Sequence, residues 1–147
     1  MNDTAPPETE QQILARLNGR FHSAHHNWVG TRVTRVDGEW VEAECPWKAE
    51  FEGAPNTAQG GIIATLIDMA AEYAIAAKHG RPVPTINLRI DYHRPARPGT
   101  MYARGRVIRA GATIITAEAQ VLDCERGLCA SGRGSFFSLG GFTERKE

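Results

Sequence analysis

The pattern of hydrophobic and polar positions predicts one long helix between residues 60 and 79. Apolar residues recur there at spacings of three and four, which places them on one helical face: Ile62, Ile63, Leu66, Ile67, Ala70, Tyr73, Ala74 and Ala77. The 20 residues, at about 1.5 Å each, give a length of about 30 Å, enough to cross a small domain. His79 and Gly80 form a typical helix end, and Pro82 and Pro84 prevent the helix from resuming.

The segments on either side of this helix have the signature of β-strands. Two strands precede it, at 31–36 and 40–45, joined by the hairpin signal Asp37-Gly38. Four more follow, at 85–92, 101–109, 113–122 and 128–138, separated by turns rich in Pro and Gly. A short helix over 9–18, ended by Asn18-Gly19, is predicted before the first strand.

This order of elements predicts an α+β fold, with an antiparallel sheet wrapped around one central helix. The last three strands follow one another through short turns, so they should pair antiparallel. Alanine is frequent in the long helix, and its small side chain lets a sheet approach closely. We expect a tail and short helix over 1–27, the main domain over 28–139, and a polar tail over 140–147.

Composition narrows the classes of protein that fit. The 147 residues suit one domain, and a hydrophobic content of 41% suits a packed core. Seventeen basic residues balance 17 acidic ones, which is atypical of a nucleic-acid binder. No apolar run approaches the ~20 residues of a membrane span, and the polar start lacks a signal peptide's features, so we expect a cytoplasmic protein with neither nucleic-acid nor membrane partners. Three cysteines without CxxC spacing indicate reduced structural thiols.

The start of the long helix is the strongest candidate for chemistry. Gly60 and Gly61 open it, and the first helical turn has free backbone N–H groups and a partial positive charge that can polarise a carbonyl. Asp68 follows eight residues after Gly60 and shares a polar strip with Thr65 and Glu72. A carboxylate there can act as a nucleophile or as a general base. The combination suits acyl transfer to water.

Each of these features has a simpler explanation. The two glycines can be a tight junction between loop and helix, and Asp68 a solvated surface charge. Glu72 is more often a surface partner for Lys78 or an arginine than a catalyst. Gln59 can donate its amide to a substrate carbonyl or merely cap the helix.

Other clusters of polar residues give weaker signals. His22, His25 and His26 lack the spacing of a zinc helix, and the serines lack a GxSxG context. Arginines are frequent in the strand region after the helix, which indicates a solvated sheet face or a site for the phosphates of coenzyme A: Arg89, Arg94, Arg97, Arg104, Arg106 and Arg109.

The glycine pair followed by ATLID resembles the hotdog-fold acyl-CoA thioesterases of the phenylacetate-degradation type, over roughly residues 28–139. The resemblance implies that the amide of Gly60 polarises the thioester carbonyl and that Asp68 is the catalytic base or nucleophile. Thr85, at the start of the next strand, would position the attacking water. Gln59 stands where the family usually has His, and Gly53 where many relatives have Asn, a role that we assign to Asn56 instead.

The resemblance also implies a substrate and an assembly. The substrate would be an acyl-CoA, with Asn56, Gly61, Thr65 and Glu72 in the binding site and no cofactor or metal beyond the substrate's own CoA. Asp68 of one chain would face Gly60 of another, in a homodimer or homotetramer. The alternatives are a hydratase or dehydratase of acyl thioesters, disfavoured by Gln59, and a binding module without turnover.

Overall fold

The computed structural model describes residues 5–19 and 21–138. The three α-helices are α1 (Glu10–Asn18), α2 (Ala24–Val29) and α3 (Gly60–His79), and a 3₁₀ turn spans Ala49–Phe51. The strands are β1 (Arg32–Asp37), β2 (Trp40–Cys45), β3 (Thr85–Tyr92), β4 (Met101–Ala110), β5 (Ile114–Leu122) and β6 (Leu128–Phe137). The predicted C-terminal tail, 140–147, lies outside the described residues.

The six strands form one antiparallel sheet in the order β1-β2-β4-β5-β6-β3. This sheet packs on α3, chiefly through β4 and β5. The predicted fold, a sheet wrapped around one long helix, is therefore confirmed. β1 and β3 are the two edge strands, and β3 reaches its edge by pairing with the last strand, β6. That crossover places β3 beside the first half of α3.

The predicted long helix has the bounds that the apolar periodicity indicated, and the strand ends differ from the predictions by one residue at most. Helix α2 and the 3₁₀ turn were missed because neither is long enough to show a period. Ser23 nevertheless caps α2 by accepting from the N–H of His26, while the His26 side chain reaches back to the N–H of Ser23.

Helix α1 is attached to the domain by polar contacts. Thr9 and Gln12 form its capping box. At its other end the Asn18 side chain donates to the carbonyl of Val33 and accepts from that residue's N–H, at 2.8 and 2.7 Å. Arg16 donates to the carbonyls of Ala76 and Ala77 near the end of α3. These bonds satisfy the backbone groups of Val33 at the β1 edge and two carbonyls near the end of α3.

Among the described residues, α3 is the one helix that is long and apolar enough, by length and composition, to cross a membrane, with a mean hydropathy of 1.4. The expectation that no apolar run approaches a membrane span is therefore wrong as a statement about composition. More than half of this segment is buried inside the domain, 56%. It is the core helix, and its hydrophobicity comes from being covered by the sheet.

The core depends on small residues where the sheet meets the helix. Ala103, Ala117 and Ala119 on the strands are buried against α3, which presents Ala70, Ala71 and Ala74. Gly105 on β4 lies directly against the helix backbone: a Cβ there would overlap the carbonyl of Ala70 and come within 2.9 Å of the amide nitrogen of Ala71. The backbones of β4 and α3 are therefore too close at Gly105 to leave room for a methyl group.

We therefore expect Gly105→Ala to destabilise the protein by about 3 kcal/mol, because the helix and β4 must separate. Chemical denaturation measures this loss. Gly38→Ala is the matched control: an added Cβ there meets nothing within 4 Å, but the φ of +52° is left-handed. Its cost should be only about 1–2 kcal/mol. An equal or smaller loss for Gly105→Ala would contradict the close approach.

Candidate active site

The first turn of α3 presents one unused backbone donor. Gln59 is the N-cap, and its side-chain oxygen accepts from the N–H of Gly61. The carbonyl of Gln59 accepts from the N–H groups of Ile62 and Ile63. For the N–H of Gly60, no acceptor lies within hydrogen-bonding distance in the described part of the chain. Gln59 therefore caps the helix, and the N–H of Gly60, rather than that of Gly61, is the donor left over in the first turn.

The loop before α3 is held in place by backbone hydrogen bonds from two sides. The N–H of Gln59 donates to the carbonyl of Phe51 at 2.8 Å, and the N–H of Ala58 donates to that of Ala96 at 2.9 Å. Asn56 lies exposed in this loop, in a left-handed conformation with φ of 56°. The loop thus fixes the direction in which the helix starts.

Tyr92 is a further residue of this site that the sequence did not reveal. Its hydroxyl donates to the carbonyl oxygen of Gly60 at 2.7 Å. A Cβ on Gly60 would lie 3.5 Å from the same hydroxyl oxygen, which is ordinary van der Waals contact. In the sequence Tyr92 is one of several alternating apolar residues, so no local signal marks this contact.

Asp68 and Thr85, two of the predicted site residues, are in direct contact. The Thr85 hydroxyl donates to Oδ1 of Asp68 at 2.8 Å. Burial beside the apolar helix face raises the pKa of Asp68 above its usual value, and the hydrogen bond from Thr85 opposes that rise. The result is an oriented, half-buried carboxylate whose basicity exceeds that of a solvated one.

Thr65 and Glu72 lie on the same side of α3 as Asp68, and both are half-buried. Burial, and then the negative charge of Asp68, raise the pKa of Glu72 from its ordinary 4.5 to about 7. Within residues 5–19 and 21–138, Glu72 has neither an ion-pair partner nor a hydrogen bond to its carboxyl group. The polar strip is thus a partly desolvated surface on which Asp68 and Glu72 lie close enough for the charge of one to affect the other.

Of the three histidines near the N-terminus, His22 and His26 pack against Tyr73, whereas His25 is exposed beside Trp28. Tyr73 lies at hydrogen-bonding distance from His22, 3.1 Å, and from Thr31, 2.7 Å. His22 and His26 stack, and burial together with the neighbouring histidines lowers the pKa of His26 to about 4. No group of three metal-ligating side chains occurs among the described residues.

Four of the arginines in the strand region have acceptors on the sheet itself. Arg89 pairs with Asp91, Arg94 with Asp123, and Arg106 with Glu118 and Glu39, while Arg104 donates to Gln120. These contacts agree with a solvated sheet face. Arg97 and Arg109 make no ion pair with any described residue.

Comparison with known proteins identifies the family. The profile described as the thioesterase superfamily matches residues 56–130, from the loop before α3 into β6. A protein of Saccharolobus solfataricus named provisionally as an esterase is 31% identical over 76% of this chain and 81% of its own length. A second provisional esterase, from Halobacterium salinarum, is 42% identical over 87 residues, 52% of this chain. The match spans 57% of that relative's length.

Solved structures agree with this result. A thioesterase-superfamily protein superposes with a TM-score of 0.79 at 38% identity, covering 85% of this chain and 95% of its own. The E. coli PaaI protein, from the phenylacetic acid degradation operon, shares the fold with a TM-score of 0.69 at 19% identity, over 78% of this chain and 87% of its own. The chain belongs to the thioesterase superfamily and has its hotdog fold.

Proposed function

We propose that this protein hydrolyses an acyl-CoA thioester to a free acid and CoA. Membership of the thioesterase superfamily supports thioester hydrolysis in general. The observation that carries the proposal is the half-buried Asp68 carboxylate, oriented by Thr85 on the helix that begins with the free amide of Gly60. These are the two groups that hydrolysis of a thioester requires.

The amide of Gly60 polarises the thioester carbonyl. As the carbonyl carbon becomes tetrahedral, its oxygen gains negative charge, which the N–H and the positive end of the α3 dipole stabilise. The side chain of Gln59 is already committed to the N–H of Gly61, so its role is to hold the first turn. The hydrogen bond from Tyr92 to the carbonyl of Gly60 fixes the same peptide segment from β3.

Asp68 attacks the acyl carbon or removes a proton from an attacking water. Its raised pKa makes it a stronger base than a solvated carboxylate. The Thr85 hydroxyl donates a hydrogen bond to Asp68, so the lone pairs of the Thr85 oxygen remain able to accept a hydrogen bond from a water molecule. Single turnover in ¹⁸O water separates the two routes, because only direct attack transfers label to Asp68.

One protomer cannot place both groups on the same thioester. Eight residues separate Gly60 from Asp68, which is about 12 Å along a helix, whereas the carbonyl oxygen and the attacking atom of one substrate lie within about 3–3.5 Å of the reacting carbon. A site that combines them needs Gly60 from a second copy of the chain. Self-association as a homodimer is thus part of the proposal, and so is a homotetramer built from two such dimers.

The free edge of β3 is the surface that we assign to this dimer. β3 pairs with β6 on one side only, and it carries two largely exposed apolar residues, Ile86 at 51% and Tyr92 at 55%. An unpaired strand edge with apolar side chains readily pairs with another strand. It also carries Thr85, so pairing at this edge would bring the second protomer to the reactive carboxylate.

Release of free thiol from short, medium and aromatic acyl-CoAs tests the reaction. We expect activity with at least one member of the panel, and we expect Asp68→Asn to lower kcat by on the order of 10²–10⁴-fold, because the base or nucleophile is lost. Circular dichroism and sedimentation of the variant serve as controls for folding and assembly. Binding of acyl-CoA without any thiol release would favour the binding module, and turnover unaffected by Asp68→Asn would remove this residue from the mechanism.

The pH profile of kcat/KM tests the contact between Thr85 and Asp68. Removing the donated hydrogen bond in Thr85→Val should raise the pKa of Asp68 further, so the acidic limb should move to higher pH. Thr85→Ser keeps the hydroxyl and should leave the limb near that of wild type. Superimposable profiles for all three proteins would show that the hydroxyl does not act on Asp68.

Sedimentation and activity measured together test the β3 interface. Ile86→Asp should weaken the dimer and lower activity in parallel, because a charge replaces an apolar contact. Ile108→Asp is the matched control, since Ile108 on β4 is similarly exposed, at 42%, but lies away from the β3 edge. A monomeric variant with full activity would contradict the composite site.

A further inference from the structure

We propose that Glu72 is the general acid that protonates the departing CoA sulfur. Asp68 and Glu72 would work as a pair of carboxyl groups with separate tasks, one acting at the acyl carbon and the other at the leaving group. The inference rests on the proposed thioester hydrolysis, and it adds a catalytic residue whose role the geometry of the strip suggests.

The two acids are neighbours on the helix. Residues four apart in an α-helix have Cβ atoms about 5–6 Å apart on one face, and Asp68 and Glu72 have this spacing on α3. The sulfur is bonded directly to the carbon attacked at Asp68, so it lies within a few ångströms of that carboxylate. The longer side chain of Glu72 can span the remaining distance from the next turn.

The surroundings leave Glu72 without a countercharge. Three other shielded acids of this protein are paired: Glu42 binds Arg126, Glu118 binds Arg106, and Asp123 binds Arg94. No described residue pairs with Glu72 in this way. A carboxyl group that is half-buried without a cation or donor favours its neutral form.

Within residues 5–19 and 21–138, the elements packed against α3 place no positive charge on Glu72. The buried side chains that face it from β2, β4, β5 and β6 are apolar or glycine. On β3, Thr85 bonds to Asp68, and Arg89 pairs with Asp91. From α1, Arg16 is held by Glu8 and by carbonyls near the end of α3, and His22, between α1 and α2, contacts Tyr73. Asp68 is the charge that acts on Glu72.

Thr85 decides which of the two acids ionises first. Its hydrogen bond stabilises the charged form of Asp68, whereas burial and the charge of Asp68 keep the proton on Glu72 up to a pKa of about 7. Near pH 7 about half of the Glu72 side chains therefore keep their proton, beside an Asp68 whose charged form the Thr85 hydroxyl stabilises. Two carboxyl groups separated in this way suit a base and an acid.

The proton balance of the step closes without a further reactant. Water attacks the acyl carbon and gives a proton to Asp68, the C–S bond breaks, and Glu72 transfers its proton to sulfur. Asp68 then returns a proton to Glu72, so the pair ends as it began. If Asp68 attacks carbon itself, the same proton from Glu72 reaches sulfur, and the water that later opens the acyl-enzyme restores it.

Leaving-group dependence is the decisive test. An acyl-CoA and the 4-nitrothiophenyl ester of the same acid are compared with wild type, Glu72→Gln and Asp68→Asn. CoA leaves as an aliphatic thiolate of high pKa and needs the proton, whereas the nitrothiophenolate is stable without it. Glu72→Gln should lower kcat for the acyl-CoA by on the order of 10²-fold and leave the aryl thioester nearly unchanged. Glu125→Gln, in an exposed turn, is the matched control and should change neither rate.

Each outcome has a distinct meaning. Equal losses on both esters would assign Glu72 a structural role, and no loss on the acyl-CoA would remove it from the reaction; either overturns the inference. If Asp68→Asn still abolishes turnover in those cases, the proposed function stands. If wild type hydrolyses neither ester, the proposed function fails, and the inference with it.

Thermal unfolding excludes a folding defect. Because the pKa of Glu72 is raised from 4.5 to about 7 in the folded protein, its ionisation costs stability as the pH rises through this window. Glu72→Gln cannot ionise, so it should unfold at a higher temperature than wild type above pH 7, with the difference shrinking toward pH 4.5. A variant that is less stable at every pH would instead indicate lost packing and overturn the assignment.

Discussion

The close approach between the backbones of β4 and α3 is the contact on which the rest of this structure depends. Gly105 lies against the carbonyl of Ala70 and the amide of Ala71 with no space for a side chain between them. Alanines on both surfaces extend the contact along the helix. Because no large side chain separates the two layers, the sheet can curve around α3 and cover most of its circumference. A 20-residue helix is thereby removed from water over most of its length.

The way the sheet covers α3 also sets the pKa values of the acids on the helix. The strip with Thr65, Asp68 and Glu72 is the part of α3 that the sheet leaves open, and it is narrow enough that both acids lose much of their hydration. On an exposed helix these carboxylates would be ordinary surface charges. Here desolvation raises the pKa of both, and the single hydroxyl of Thr85 makes them different from each other. Packing therefore supplies the proton affinities that the proposed reaction uses.

Strand β3 connects the two ends of this arrangement. Thr85 at its start holds Asp68, and Tyr92 at its end holds the first peptide of α3. The same strand has a free edge. In the proposed reaction this one strand would orient the reactive carboxylate, support the polarising amide and offer an interface, which would couple assembly to catalysis. Pairing at that edge would then complete a site that a helix of fixed rise per residue cannot complete alone.

The sequence by itself determined the elements, because periods of two and of 3.6 are local properties of the chain. It placed α3 and all six strands, and it singled out Gly60 and Asp68 from residue types and spacing, whereas Thr85 followed from the family resemblance. The tertiary structure decided what depends on distant parts of the chain. It placed β3 beside β6, brought Tyr92 to Gly60, and left Glu72 without a partner among the residues that the structure describes. None of these has a local pattern, since hydrogen bonds and desolvation arise only when segments far apart in sequence are packed together.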